Sequence, residues 1–205
     1  MYKGERFNSI SHLIGAAVAL AGVVLLVVAA SRLGDPWKIV SFSVYGATLL
    51  ILYTFSALYH SLRGKAKTVF RKLDHLSIYL LIAGTYTPLT LITLRGVWGW
   101  SLFGVVWGLA VLGIVLDLFP QKGARILPVI IYLVMGWLAL AAFKPLLLAL
   151  PRPGFVLLLA GGLFYTLGVI FFALEDRMRH SHGVWHLFVL AGSLCHYFTV
   201  LVYVL

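Results

Sequence analysis

A chain of 205 residues with 62% apolar and only 11% charged residues does not have the composition of a soluble domain. Such a domain carries roughly a quarter of its residues as Asp, Glu, Lys and Arg. A mean hydropathy of +1.02 belongs to a chain whose solvent is mostly hydrocarbon, and it leaves no room for a separate soluble catalytic domain. The net charge of +10 is spread in short clusters between apolar runs, a pattern of membrane topology and not of nucleic-acid binding.

Seven apolar segments follow one another, at 10–30, 39–62, 76–94, 97–119, 126–143, 155–174 and 184–205. Each can cross ~30 Å of hydrocarbon as a helix, whereas a lone strand would leave its backbone groups unpaired in lipid. The expected fold is all-α: a single seven-transmembrane helix bundle over 1–205. The first segment ends in a passable cleavage site, Val28-Ala29-Ala30, but its length suits a retained span better than a signal peptide. Lys and Arg divide unevenly between alternate connections. Lys3, Arg6, Arg63, Lys65, Lys67, Arg71, Lys72, Lys122, Arg125, Arg177 and Arg179 fall on one side; Arg32, Lys38, Arg95, Lys144 and Arg152 fall on the other. The positive-inside rule then predicts a multi-pass protein of the cell (plasma or inner) membrane, with the N-terminus in the cytoplasm and the C-terminus outside.

Placing the polar residues on this topology concentrates them at one end. His60 closes span two, Asp74 and His75 open span three, His182 and His186 open span seven with His180 in the loop before them, and Glu5, Asn8 and His12 flank the start of span one. Ionisable groups at membrane depth are costly and mark function by default. His182 and His186 are four apart and project from one helix face. Two imidazoles so spaced can bind one ion, and a third histidine from another helix would complete a His₃ site with an open position, the arrangement of a catalytic zinc. With a single cysteine, Cys195, a CxxC metal site and an internal disulfide are both excluded. Ser56 and His60 form a second pair at the same spacing, with Ser56 one turn deeper. Asp74 is a candidate orienter or general base for water beside the metal.

Plainer readings stand beside each of these. His182 and His186 read equally as interfacial residues at a helix start. His60 reads as a donor to the last carbonyls of span two. Asp74 reads as a carboxylate favoured by a helix N-terminus, and His12 with Glu5 as an interface pair. His196, deep in span seven, reads as a packing residue, Asp117 as interfacial and Cys195 as a small hydrophobe.

Three blocks add a resemblance: Glu5-Arg-Phe-Asn8-Ser-Ile-Ser11-His12; Ser56-Ala-Leu-Tyr-His60 with Lys72-Leu-Asp74-His75 and Thr85-Tyr-Thr-Pro88; and Ser181-His182-Gly-Val-Trp-His186. In this order, at the ends of these spans, the chain resembles the hemolysin III family, the bacterial branch of the progestin and adipoQ receptors. The resemblance implies zinc held by His60, His182 and His186, with Asp74 contacting water beside the metal. It also implies, through the related alkaline ceramidases, that Ser56 supports an oxyanion. His75 stands where animal members commonly have tyrosine, and their long N-terminal domain is missing here.

The expected function is a zinc-dependent hydrolase acting on a lipid amide or ester near the cytoplasmic face, with Asp74 as base, Ser56 at the oxyanion and a membrane lipid as substrate. Two other readings remain: a receptor-like or homeostasis sensor with structural zinc, and a lytic pore. The pore would need a polar lining that spans four and five lack. A haem protein would need paired imidazoles across the bundle. Oligomeric state stays open at Gly104-Val-Val-Trp-Gly108, a GxxxG that serves either packing or self-association.

Overall fold

The computed structural model of the chain describes residues 4–119, 125–175 and 177–205, among which every regular element is helical. Seven helices are long and apolar enough to span a membrane. They are α1 Arg6–Leu33, α2 Pro36–Ser61, α3 Gly64–Thr93, α4 Val97–Leu118, α5 Ile126–Ala149, α6 Arg152–Ala173 and α7 Ser181–Tyr203. Helix α1 packs along α2, α2 along α3 and α6 along α7; α1 also meets α7, which closes the bundle.

Local chemistry explains the sharpest connection. Gly34 takes φ 68° and donates its N–H to the Ser31 carbonyl, ending α1 with the left-handed residue that glycine adopts without strain. Asp35 then caps α2 by accepting from the Trp37 N–H at 2.9 Å, and Pro36 starts the helix where no N–H is needed.

Two helices depart from regular geometry at membrane depth. Pro88 lacks an N–H and crowds the turn before it, and α3 widens into a π turn over Leu89–Thr93. Thr87 and Thr90 hydroxyls donate back to the Ala83 and Tyr86 carbonyls, so the loosened stretch keeps its acceptors satisfied. Helix α5 is interrupted by a 3₁₀ segment at Leu138–Ala142 before resuming over Phe143–Ala149. The Tyr86 hydroxyl fills that break, accepting from the Ala139 N–H at 2.8 Å and donating to the Gly136 carbonyl at 2.9 Å.

The boundaries shift from the sequence reading by one to four residues at most ends and differ by more at two places. The basic stretch 63–75, expected as a connection, is helical from Gly64 onward. Lys and Arg are good helix formers, and no Pro or second Gly interrupts the run; charge alone does not end a helix. Span five continues beyond 143, because the Lys144 side chain is exposed and can reach outward, and Pro145 lies within a first turn. Of the basic residues counted for orientation, Lys3 and Lys122 lie outside the described residues.

The bundle surface is apolar, with Leu20, Val24, Val111 and Leu148 among many exposed aliphatic residues, as expected of a chain bathed in lipid. Its centre mixes Phe42, Tyr45, Leu26 and Tyr79 with buried Ser41, Thr48, Ser77 and Thr199. Small residues bring the helices close: a Cβ on Gly99 would lie 2.1 Å from the Thr90 carbonyl oxygen, where α4 crosses the π turn. Gly104 and Gly108 differ, since a Cβ on either meets nothing within 4 Å. The GxxxG therefore faces outward and takes no part in packing within the bundle. Gly99→Ala is expected to lower stability by about 1–3 kcal/mol, the cost of overpacking against backbone. Gly108→Ala should stay within about 0.5 kcal/mol of the parent. Thermal melts in detergent check both, and equal melting temperatures for the two would contradict the α3–α4 contact.

Candidate metal centre

Four helix ends meet at one face: the start of α1, the end of α2, the early turns of α3 and the start of α7. Among the described residues, His60, His182 and His186 present one ligand atom each, all within 4.8 Å of one another. Their ring centroids form a nearly equilateral triangle, at 4.9 Å for His60–His182, 4.9 Å for His60–His186 and 4.8 Å for His182–His186. His60 and His186 are buried, and His182 is partly open at the rim.

The outer nitrogens decide what the inner ones can do. His60 Nδ1 lies 2.6 Å from Glu5 Oε2, and His182 Nδ1 lies 2.5 Å from Glu175 Oε2. An ionised carboxylate only accepts, so each Nδ1–H donates. Ser11 spends its hydroxyl proton on the Asn8 carbonyl at 3.0 Å and can only accept from His186 Nδ1–H at 3.2 Å. In the neutral ring the other nitrogen is then a lone pair. His60 Nε2 and His182 Nε2 face each other at 3.2 Å. A shared proton could bridge two such lone pairs, whereas a metal ion uses all three. Three imidazole donors suit zinc among the common cations, and hydrogen-bond acceptors on the outer nitrogens are its usual company.

Glu5 is itself held tightly. Lys67 Nζ donates to its other oxygen at 2.6 Å, and Asn8 Nδ2 adds a 3.0 Å bond. The His60 hydrogen bond outweighs partial burial and, with Lys67, holds this carboxyl well below the usual carboxylate range.

Asp74 lies beside this triangle but outside the ligand set. It is buried, within interaction range of the His182 ring and of Ser56. Ser56 Oγ is buried within reach of the Asp74 carboxyl, an acceptor placed for its hydroxyl. Asp74 does not open its helix, as the sequence reading had it, because α3 begins ten residues earlier at Gly64. A dipole that fades within the first turn cannot account for it there.

The other histidines separate from the triangle. His12 pairs with no carboxylate; it stacks on His186 at 3.6 Å between ring centroids, and both of its nitrogens are buried without a partner. His180 is exposed. His196 packs deep in the bundle with Nε2–H donating to the Leu158 carbonyl at 3.1 Å. Asp117, read as interfacial, is buried and forms a two-pronged ion pair with Arg125, whose NH2 group also reaches the Tyr132 hydroxyl. Burial opposes the guanidinium charge, but the bonds to Asp117 more than offset it and raise its pKa. Tyr132 in turn donates to the His75 carbonyl at 3.1 Å, tying α5 to α3 next to Asp74. Cys195 is a free, half-buried thiol remote from the ligand set.

One turn beyond the polar layer an apolar cavity of about 140 Å³ begins. It runs from Ile78, Tyr132 and Trp185 to Leu146, Phe155 and His196. The eleven helical steps from Trp185 to His196 correspond to about 16 Å along the helix. Helices α5 and α6 wall it on one side, joined by the Trp137 indole N–H donating to Thr166 Oγ1 at 3.0 Å.

A seven-helix membrane bundle with a histidine triangle at the convergence of α2 and α7 is the class that fold and site define. The haemolysin-III-related family model matches residues 1–197, and the chain belongs to that family. It is 46% identical over 204 residues to hemolysin-3 of Bacillus cereus, covering 99% of this chain and 93% of that protein. It is 44% identical over 202 residues to the hemolysin-3 homolog of Bacillus subtilis (strain 168), covering 98% and 94%. The monocyte to macrophage differentiation factor of Homo sapiens is more distant, at 28% identity over 203 residues, with 94% of this chain and 81% of that protein covered.

Proposed function

We propose that the chain is a membrane zinc enzyme that hydrolyses an amide or ester of a membrane lipid. The observation that carries the reading is the set of three imidazoles whose outer nitrogens are already engaged, leaving three lone pairs turned toward a common centre. His60, His182 and His186 would hold the ion. Zinc in such a site supplies Lewis acidity, polarising a carbonyl and making water acidic near neutral pH.

The remaining roles fall to residues of the chain. Asp74, buried beside the triangle, takes the proton from the attacking water. Ser56, its hydroxyl buried beside Asp74, turns to donate to the oxygen on which negative charge develops. The apolar cavity below accommodates the hydrocarbon part of the substrate and excludes water from the layer above it. A lytic pore is the weaker alternative, because Leu26, Phe42, Tyr45 and Tyr79 pack in the interior, each 0% exposed, where a pore would need a polar lining. A sensor with structural zinc differs from the enzyme in one respect, the role of Asp74. A closed site would take Asp74 as its fourth ligand, whereas an open one keeps it a hydrogen bond away.

That difference sets the experiment. Asp74→Asn keeps shape and hydrogen bonding but removes the base. The enzyme reading expects it to retain most of its zinc by elemental analysis while losing about 10²–10⁴-fold in lipid hydrolysis. Loss of zinc together with thermal stability would favour the sensor, and full hydrolysis would remove Asp74 from the chemistry. His60→Ala, His182→Ala and His186→Ala should each lose most of the metal, with His180→Ala and His196→Ala retaining it.

The site is proposed to face the cytoplasm, following the uneven distribution of Lys and Arg. Reporter fusions at the C-terminus should be active only outside the cytoplasm. A C-terminal fusion active inside would invert the orientation and move the site to the opposite leaflet.

A further inference from the structure

We propose that Glu5 and Glu175 are working parts of the metal site: each fixes the metal-binding tautomer of one histidine, and together they balance the charge of the ion. The proposal rests on the zinc reading above and adds two residues to it. The carboxylates come from opposite ends of the sequence. Glu5 immediately precedes α1 and reaches His60 across 55 positions, while Glu175 follows α6 and reaches His182 across the turn into α7.

Two physical needs point to these groups. An imidazole ring can present either nitrogen, and the proton on the other one decides which lone pair is available. The 2.6 Å and 2.5 Å contacts commit the proton to Nδ1 in both rings, so Nε2 is the donor atom turned inward. Three imidazoles are also electrically neutral as ligands. A divalent ion there would carry its full charge into a half-buried, low-dielectric rim, which is costly unless opposite charge lies close. Glu5 and Glu175 supply two negative charges just outside the ligand shell. Lys67 offsets part of the first, and in doing so it pins the Glu5 carboxylate in place with Asn8. An ordinary surface ion pair accounts poorly for Glu5, whose partner His60 is only 2% exposed.

Gln and Ala substitutions separate the two contributions. A glutamine carbonyl still accepts from Nδ1–H but carries no charge, whereas alanine removes both the acceptor and the charge. Purified full-length protein in detergent is titrated with zinc against a chromogenic chelator. Glu5→Gln and Glu175→Gln are each expected to weaken zinc binding about tenfold, and the Ala variants more, up to about a hundredfold. Asp35→Asn is the control for charge alone, since Asp35 caps the far end of α2; it should bind zinc as the parent does. Melting temperatures of the metal-free proteins separate a site effect from a folding defect, and the visible spectrum of cobalt-loaded protein should shift in the Gln variants. Parental zinc affinity in both Ala variants, with zinc lost in His182→Ala, would overturn the proposal and leave the metal reading intact. A parent protein that binds no zinc would overturn both.

Discussion

An imidazole ring has two nitrogens and, when neutral, one proton. In this protein the placement of that proton organises the whole of one membrane face. Outer acceptors on Glu5, Glu175 and Ser11 draw the protons of His60, His182 and His186 away from the centre. What remains is a triangle of lone pairs with two nitrogens 3.2 Å apart, an arrangement that needs a positive charge between them. The rest of the face is arranged around that need. The start of α1 contributes Glu5 and Ser11 as outer acceptors, the turn after α6 contributes Glu175, α2 and α7 the metal donors, and α3 the acid beside them.

Hydrocarbon imposes the complementary constraint on everything below. A polar group there has only the protein to bond to, and the irregular stretches follow that rule. Threonine hydroxyls close the π turn after Pro88, and Tyr86 serves both sides of the break in α5. The exceptions fall in two groups. Ser9, His12 and Ser56 carry buried polar atoms without a hydrogen bond of normal geometry in the layer around the histidines, while Ser41, Tyr45, Tyr79 and His196 do so elsewhere in the bundle. The apolar cavity lined by Ile78, Tyr132 and Trp185 begins where that layer ends.

Much of this was legible from residue order. Seven spans followed from apolar length, and the turn at Gly34-Asp35-Pro36 carries its own start and stop signals. The i, i+4 pairs Ser56–His60 and His182–His186 identified the face that each helix turns inward. Spacing could not reveal that α2 and α7 meet, since 122 residues separate His60 from His182. The start of α3 was misjudged because charged residues were taken for a loop, and this made Asp74 look like a helix-end carboxylate. Asp117 looked interfacial because its partner Arg125 lies eight positions on in the sequence, and only the folded chain brings the two together. Glu5 reads from the sequence as a partner of His12, whereas in the fold it meets His60, and Asn8 and Ser11 carry no individual role in the sequence reading. The spacing of three across Glu5, Asn8 and Ser11 at a helix start was the available signal that they share a face.

The account stands on a metal held by three imidazoles, and X-ray absorption at the zinc edge of the purified, zinc-loaded protein tests that most directly. The expected result is one zinc per chain, with three imidazole nitrogens at ~2.0–2.1 Å and one further light-atom donor. A shell without imidazole scattering, or a protein that takes up no stoichiometric zinc, would contradict it.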